Sequence, residues 1–268
     1  MSWAKKNGSL ITDIAHESLG FLKKHGRVEL KSLIHDKHYF AFASGKKISR
    51  AVNSELFMED ISAWDKFLDS IESKTVTRVE SLLATRLIYT VAISFCCFID
   101  LTKDGDQKTP GTVFEYLIGH LFARRLAVNP TKELEVPNLD MKTTLPTDFI
   151  FNLGPEKAKF HLPVKTSSRE RVIQVWAHQR VLDGVYGTGR FLGTPVILAE
   201  TKSDKRKREV IEICLPDQWG IYQMHIAQLK RIYYLDIPTA YRKLNEVFPR
   251  IAVRPFGDFF QEIEALAQ

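Results

Sequence analysis

Three stretches in the first hundred residues place apolar side chains at every third or fourth position, which is the spacing of one face of an α-helix. They span residues 9–24, 54–73 and 75–99, and the recurrence predicts three helices. Residues 27–50 follow neither the helical nor the strand period, and the segment HYFAFASGKK within them is compatible with a strand. The pattern therefore predicts a mainly helical N-terminal region over residues 1–105.

The pattern changes after residue 105. Pro110-Gly111-Thr112 opens a helical stretch, and two short apolar runs follow at residues 147–153 and 159–164, separated by the turn-forming sequence GPEK. Two such runs across a turn predict a hairpin. The remaining predicted elements are a helix at 169–183, strands at 195–201 and 209–214, and helices near 216–231, 238–247 and 257–267. This order predicts an α/β core over residues 106–268, with helices on both faces of a mixed central sheet.

Composition and charge restrict the classes of function. The 44% of hydrophobic residues can fill a sizeable core, and 38 Lys and Arg against 32 Asp and Glu leave a formal charge of +6, which favours a polyanionic partner. The most apolar run, LIYTVAISFCCFI, has 13 residues, whereas a membrane span needs about 20. The first twenty residues lack the apolar segment of a secretory signal. Three cysteines, an odd number, favour a reducing compartment. We expect a soluble, cytoplasmic protein without a membrane partner.

Candidate chemistry lies in the predicted hairpin, where Asp148 stands near the start of one strand and Lys165 at the end of the next. Cutting a phosphodiester needs a divalent cation beside the phosphate and help for the attacking water and the leaving oxygen. An aspartate can bind Mg²⁺, and a lysine beside it can stabilise charge. Single charged residues at strand ends also occur simply because they face solvent, and the pair alone leaves both interpretations open.

The residues around this pair resemble a known nuclease pattern. Pro146-Thr147-Asp148 and Pro163-Val164-Lys165 are similar to the motif of the PD-(D/E)XK nucleases, the fold of most type II restriction endonucleases, although Pro163 occupies the usual acidic position. One subgroup tolerates that departure: the restriction endonucleases that cut CCGG, CCNGG or CCWGG sites. There the second carboxylate lies on the following helix. The resemblance covers residues 111–181, about a quarter of the chain.

The segment KTSSRERVIQV, which begins at Lys165, resembles the block with which that subgroup reads C and G bases. The resemblance implies Arg169, Glu170 and Arg171 as base readers. Arginine pairs bidentately with guanine, and a carboxylate accepts a hydrogen bond from the cytosine amino group. The same letters also fit a capping box, with Ser167 as N-cap and Glu170 at N3. The two interpretations are compatible, since a cap would fix where the helix enters a groove.

The resemblance also implies further site residues. The helix carboxylate of the subgroup corresponds to His178 here, and the neighbouring Gln179 offers an amide oxygen if the register shifts by one. Glu115, in a helix that resembles the one before the hairpin, is expected to point into the metal site. Glu200-Thr201-Lys202 matches the E-x-K motif but lies far along the chain from Asp148. It is the less favoured alternative for the active site. The basic turn after it is a solvated hairpin turn or a contact to the DNA backbone: Lys205, Arg206, Lys207 and Arg208.

The resemblance implies a Mg²⁺-dependent type II restriction endonuclease in the cytoplasm of a prokaryotic cell, a site-specific deoxyribonuclease for double-stranded DNA. Its expected site is palindromic with C·G pairs, and a twofold-symmetric homodimer matches such a site. The N-terminal helices would supply dimer contacts, DNA contacts or both. Two alternatives stay open: a repair or mobile-element nuclease of the same fold, and a DNA-binding protein whose active site has decayed. Trp64 and Trp176 are expected in the core rather than as stacking residues.

Overall fold

A computed structural model describes residues 3–75, 78–169 and 172–266. The predicted base readers Glu170 and Arg171 lie outside the described residues. The helices within them are α1 (Trp3–Leu22), α2 (Trp64–Ser73), α3 (Arg78–Thr102), α4 (Lys108–Leu126), α5 (Val172–Tyr186), α6 (Pro216–His225), α7 (Thr239–Val247) and α8 (Phe259–Leu266).

The strands fall into an N-terminal and a central group. The first group is β1 (Gly26–Ser32), β2 (Tyr39–Ser44), β3 (Lys47–Ile48) and β4 (Val52–Asn53). The central group is β5 (Thr131–Asn138), β6 (Met141–Phe151), β7 (Lys159–Leu162), β8 (Val164–Lys165), β9 (Phe191–Gly193), β10 (Val196–Ile197), β13 (Ile232–Tyr234) and β14 (Val253–Pro255). Between β10 and β13 along the chain lie β11 (Thr201–Asp204) and β12 (Glu209–Glu212), which join the sheet of the N-terminal strands.

The central sheet is mixed and interrupted at Pro163. β6 pairs antiparallel with β5 and with β7. The other pairs are parallel: β7 with β9, β8 with β10, β10 with β13, and β13 with β14. Hydrogen bonds continue across the interruption, because the Thr194 N–H donates to the His161 carbonyl at 2.8 Å and the Val196 N–H to the Pro163 carbonyl at 2.9 Å. The sheet therefore runs in the order β5, β6, β7/β8, β9/β10, β13, β14.

Both faces of this sheet are covered by helices, as the sequence predicts. Val196 and Leu198 pack into the large cluster that holds buried residues of α1 to α4 and α8. Ile197, between them, packs into a second cluster with residues of α5, α6 and α7. Because successive strand residues point to opposite faces, this alternation identifies the two layers of helices. The α/β architecture is confirmed.

The N-terminal region, predicted to be mainly helical, also contains a sheet. β1 to β4 form a sheet with β11 and β12, in which β1 pairs parallel with β12. Only Trp64–Ser73 of the predicted helix 54–73 is helical. The side chains of Asn53 and Asp60 accept hydrogen bonds from the N–H groups of Glu55 and Ser62. Such local bonds offer the backbone an alternative to a helix. Because α1, α3 and β7 share one buried cluster, packing continues across residue 105, and the predicted boundary there stays a prediction.

The apolar helix α3 is a core helix in this structure. Its segment Glu80–Thr102 is long and apolar enough to cross a membrane by length and composition, but 78% of its most apolar window is buried inside the fold. The two predicted core tryptophans are also buried: the Trp64 indole N–H donates to Thr12 at 3.2 Å, and the Trp176 indole N–H donates to Gln223 at 3.0 Å. Their predicted place in the core is confirmed.

Candidate active site

Asp148 and Lys165 meet at the point where the central sheet is interrupted. The Lys165 ammonium donates to Asp148 Oδ2 at 2.7 Å, and the backbone N–H of Val164 donates to the same oxygen at 2.8 Å. The two charged side chains are 32% and 22% exposed, so the pair is partly buried yet reachable. The expected proximity of the two residues is thus present in the structure.

The local sequence explains this meeting. β6 pairs antiparallel with β7, with Phe149 opposite Leu162, and the next position along places Asp148 opposite Pro163. Proline has no N–H to offer the neighbouring strand. The following N–H, that of Val164, bonds to the aspartate side chain instead of to β6. Pro163 thus opens the sheet beside Asp148.

Glu115 extends the charged cluster from α4. Burial raises the pKa of its carboxyl, the nearby charge of Asp148 raises it further, and the ammonium groups of Lys165 and Lys132 oppose the rise. α4 lies close to β6 because a glycine faces the strand: a Cβ on Gly119 would stand 2.7 Å from Cζ of Phe149. The negative charge of Asp148 beside the carboxyl group of Glu115 creates a local demand for a cation.

Lys132 is a second lysine of this cluster, and the sequence pattern did not indicate it. Its ammonium lies 4.9 Å from the ring centroid of Phe149 and 5.1 Å from that of Tyr116. Its backbone carbonyl accepts a hydrogen bond from Thr147 at 3.2 Å, which ties β5 to the strand that carries Asp148. Recognising β5 as a neighbour of β6 would have identified this second lysine.

His178 lies on α5, which covers the other side of the pair. Burial lowers the pKa of its imidazole, Lys165 lowers it further, and the charge of Asp148 opposes both. A lowered pKa keeps the ring neutral near pH 7. Its ring centroid is 6.3 Å from that of His161, whose pKa burial lowers to about 4.

The side chain of Gln179, the alternative to His178, is buried and hydrogen-bonded within the fold. It is 1% exposed, and its amide nitrogen donates to Asp183 at 2.9 Å and to the carbonyl of Phe191 at 2.8 Å. Its amide oxygen therefore faces Nδ1 of His161, 3.3 Å away, and a hydrogen bond between them requires the proton on that nitrogen. Of the two neighbours on α5, His178 is the one whose charge state responds to Asp148 and Lys165.

The segment after Lys165 is held by Glu200. The Ser167 hydroxyl donates to Glu200 Oε2 at 2.7 Å, and the Ser168 N–H donates to Oε1 at 2.9 Å. Arg169 is exposed and has a positive φ of 34°, and α5 is described from Val172. The capping box and the base-reading roles of Glu170 and Arg171 stay predictions, since both residues lie outside the described ones.

The basic run after Glu200 forms the turn of the hairpin between β11 and β12. The N–H groups of Arg206 and Lys207 donate to the Asp204 carboxylate at 2.9 and 3.1 Å, and Lys205 donates to the Ile48 carbonyl at 2.7 Å. Arg208 completes the turn with a φ of 55°. The four residues are exposed, as expected for a solvated turn, and their contact to DNA stays a prediction.

The donor set determines which metal chemistry the cluster can support. In residues 3–75, 78–169 and 172–266, no group of three or more His, Cys, Asp or Glu side chains is arranged to hold a metal ion. The cluster offers two carboxylates, those of Glu115 and Asp148. Both hydrogen bonds to Asp148 fall on Oδ2, so Oδ1 can face a cation without breaking either. One or two carboxylates completed by waters and substrate phosphates is the usual Mg²⁺ arrangement in phosphoryl chemistry.

Comparisons with known proteins relate the whole fold to restriction endonucleases. No protein-family profile matches the chain, and no curated protein sequence is significantly similar. The crystal structure of the type IIP restriction endonuclease Kpn2I superposes on 98% of this chain and 94% of its own, with a TM-score of 0.82 and 27% identity. Restriction endonuclease PspGI, in a complex with substrate DNA, superposes on 76% of this chain and 89% of its own, with a TM-score of 0.50 and 13% identity, a likeness of fold alone. The chain therefore has a restriction-endonuclease fold, and the likeness to Kpn2I supports a restriction endonuclease function.

Proposed function

We propose that the protein is a Mg²⁺-dependent type II restriction endonuclease of the PD-(D/E)XK class. It would hydrolyse phosphodiester bonds of double-stranded DNA at a palindromic site that contains C·G pairs. The observation that carries the proposal is the cluster of Glu115, Asp148 and Lys165 at the interruption of the central sheet, in a fold that Kpn2I shares over 98% of the chain.

Glu115 and Asp148 are the residues that would hold Mg²⁺. When bound, the cation polarises the scissile phosphate and lowers the pKa of a water molecule. Glu115 must lose its proton to bind a cation, and its raised pKa places that step at a higher pH than for an ordinary glutamate. We therefore expect metal-dependent activity to fall on the acid side as Glu115 becomes protonated.

Lys165 and His178 would act on the reacting groups. The Lys165 ammonium, held by Asp148 at 2.7 Å, places a positive charge next to the phosphate, where negative charge develops during the displacement. His178 stays neutral near pH 7 because its pKa is lowered, so its ring can accept a proton from water or orient it by a hydrogen bond.

Alanine variants separate the two candidates on α5. His178→Ala should lower the rate of cutting and leave thermal unfolding nearly unchanged, because the side chain is only about half buried. Gln179→Ala should lower the unfolding temperature, because it removes three polar contacts of a buried side chain. Cutting rates at a temperature at which both variants are folded decide between them. Normal cutting by His178→Ala would remove that residue from the site.

Recognition of the bases is assigned to the segment that follows Lys165. Arg169 is exposed at the start of this segment, one residue after a tether to the sheet, so its guanidinium can reach a groove while the catalytic cluster stays at the backbone. A palindromic site requires the same contacts twice, and a twofold homodimer provides them. The exposed turn Lys205–Arg208 would add phosphate contacts without sequence preference.

Digestion of a plasmid tests this proposal. The purified protein is incubated with the plasmid in Mg²⁺ or in EDTA, and the ends of every fragment are sequenced. We expect cutting only with Mg²⁺, at one short palindrome with C·G pairs. Ends without a common sequence would indicate a structure-specific repair or mobile-element nuclease. Tight binding of one sequence without cutting would indicate a decayed active site. Either result rejects the proposal.

A further inference from the structure

Glu200 is a buried carboxylate whose partners come from the proposed recognition segment. It is 1% exposed and follows β10, the strand that pairs with β8. Besides the bonds from Ser167 and Ser168, it accepts a hydrogen bond from the Tyr234 hydroxyl at 2.9 Å. The carboxylate thus joins the segment after Lys165 to β13, the next strand of the sheet.

The chemistry of these contacts makes Glu200 a stiff tether. A buried carboxylate is costly unless its oxygens accept hydrogen bonds, and bonds to a charged acceptor are shorter and stronger than neutral ones. Burial and the charge of Glu200 raise the pKa of Tyr234, so this hydroxyl stays protonated and keeps donating. Loss of any one donor would leave a buried charge undersatisfied and would loosen the segment at that point.

The backbone of Arg169 shows what the tether holds. Its φ of 34° lies in the left-handed region, which residues with a Cβ seldom adopt. Its N–H points to Glu200 Oε2 at 3.5 Å, the long end of the hydrogen-bonding range. Such conformations persist only where the surroundings hold them, and here the surroundings include the same carboxylate.

We infer that Glu200 is a positioning residue for sequence recognition: it sets the path on which residues 167–169 present Arg169 to the DNA. The inference rests on the proposed function and deepens it. Glu200 belongs to an E-x-K triplet, yet its carboxylate is occupied by Ser167, Ser168 and Tyr234 and acts on specificity rather than on the metal. Weakening the tether should therefore reduce discrimination between sites before it reduces binding to unrelated DNA.

Two tyrosine variants form a matched test. Tyr234→Phe removes the hydroxyl that donates to Glu200, and Tyr39→Phe removes one that donates to the buried Asp236 at 3.1 Å, outside the recognition segment. Binding is measured on three duplexes at one salt concentration: the cleavage site found for the wild type, the same duplex with one C·G pair changed, and a scrambled duplex. We expect Tyr234→Phe to lower the ratio of site to changed-site affinity by about tenfold or more, the size of one lost base contact. Tyr39→Phe should keep the wild-type ratio.

Two variants of Ser167 add a loss-and-rescue test. Ser167→Ala removes a second donor to Glu200 and should also lower the ratio, whereas Ser167→Thr keeps a hydroxyl and should restore it. If Tyr234→Phe and Ser167→Ala lower only the unfolding temperature and keep the ratio, Glu200 is structural and the inference is wrong, while the proposed function stands. A wild-type protein without any preference among the three duplexes overturns both. Loss of Mg²⁺-dependent cutting with unchanged discrimination in Ser167→Ala would assign Glu200 to catalysis and also reject the inference.

Discussion

Replacing Lys165 with alanine separates a catalytic role from a structural one. The Lys165–Asp148 pair has a distance of 2.7 Å between side chains that are 32% and 22% exposed. Pairs with such solvent access contribute about 1 kcal/mol or less to stability, so Lys165→Ala should unfold close to the wild-type temperature. Loss of a positive charge that acts on the transition state should slow cutting by about 10²–10⁴-fold. Specific binding should survive, because the proposed base-reading residues follow on the next segment.

The chain offers a matched control for this variant. Lys31 and Glu209 form a comparable ion pair at 3.3 Å between the neighbouring strands β1 and β12, with Lys31 69% exposed. Lys31→Ala should leave both stability and cutting unchanged. The assay is single-turnover cleavage of a duplex that carries the site, with binding and thermal unfolding measured on the same preparations. A Lys165→Ala variant that cuts at the wild-type rate would refute the assignment of the site to the end of β8.

Three further predictions follow from packing, burial and exposure. Gly119→Ala should cost about 1–3 kcal/mol of unfolding free energy, because its new Cβ would stand 2.7 Å from the Phe149 ring; urea unfolding measures this cost, and an unchanged midpoint would contradict it. Stability should decrease as the pH falls from about 6.5 to 4, because burial lowers the folded-state pKa of His161 to about 4 and the unfolded chain binds the proton more readily. Protonation of this group would cost about 3 kcal/mol of unfolding free energy by pH 4. His161→Asn should flatten the dependence of stability on pH. Arg169→Ala should weaken binding to the site by about 1–3 kcal/mol and affect scrambled duplex much less, with little rescue by Arg169→Lys; equal losses on both duplexes would leave Arg169 as a phosphate contact only.

The meeting of Asp148 and Lys165 was predictable because the two residues flank one turn in a pair of apolar strands. Local chemistry contains that information: GPEK marks the turn, and the apolar runs mark the strands. The long helices were predictable for the same reason, since α3 and α4 carry many apolar residues at helical spacing. Their predicted bounds differ from the observed ones by a few residues, as helix ends do.

Elements whose identity depends on distant partners were not predictable. β5 is mostly exposed and rich in charge, and only Leu134 and Val136 follow the strand period. This short pattern was overlooked, and Lys132 was missed with it. β13 is three buried residues whose pairing with β10 and β14 joins distant parts of the chain. The function of Glu200 within the fold depends on contacts to residues more than thirty positions away. Its sequence context, E-x-K, resembles a catalytic motif and does not indicate these contacts.

The most direct test of the central claim compares the wild type with Asp148→Ala on supercoiled plasmid in a series of Mg²⁺ concentrations, with EDTA as the blank. Asp148 connects the two parts of the proposed site, because its carboxylate contacts Lys165 and raises the pKa of Glu115. The account predicts that the rate at which the wild type linearises the plasmid rises with the Mg²⁺ concentration. A folded Asp148→Ala variant should leave the plasmid supercoiled at every concentration. Linear product from Asp148→Ala at the wild-type rate would contradict the account.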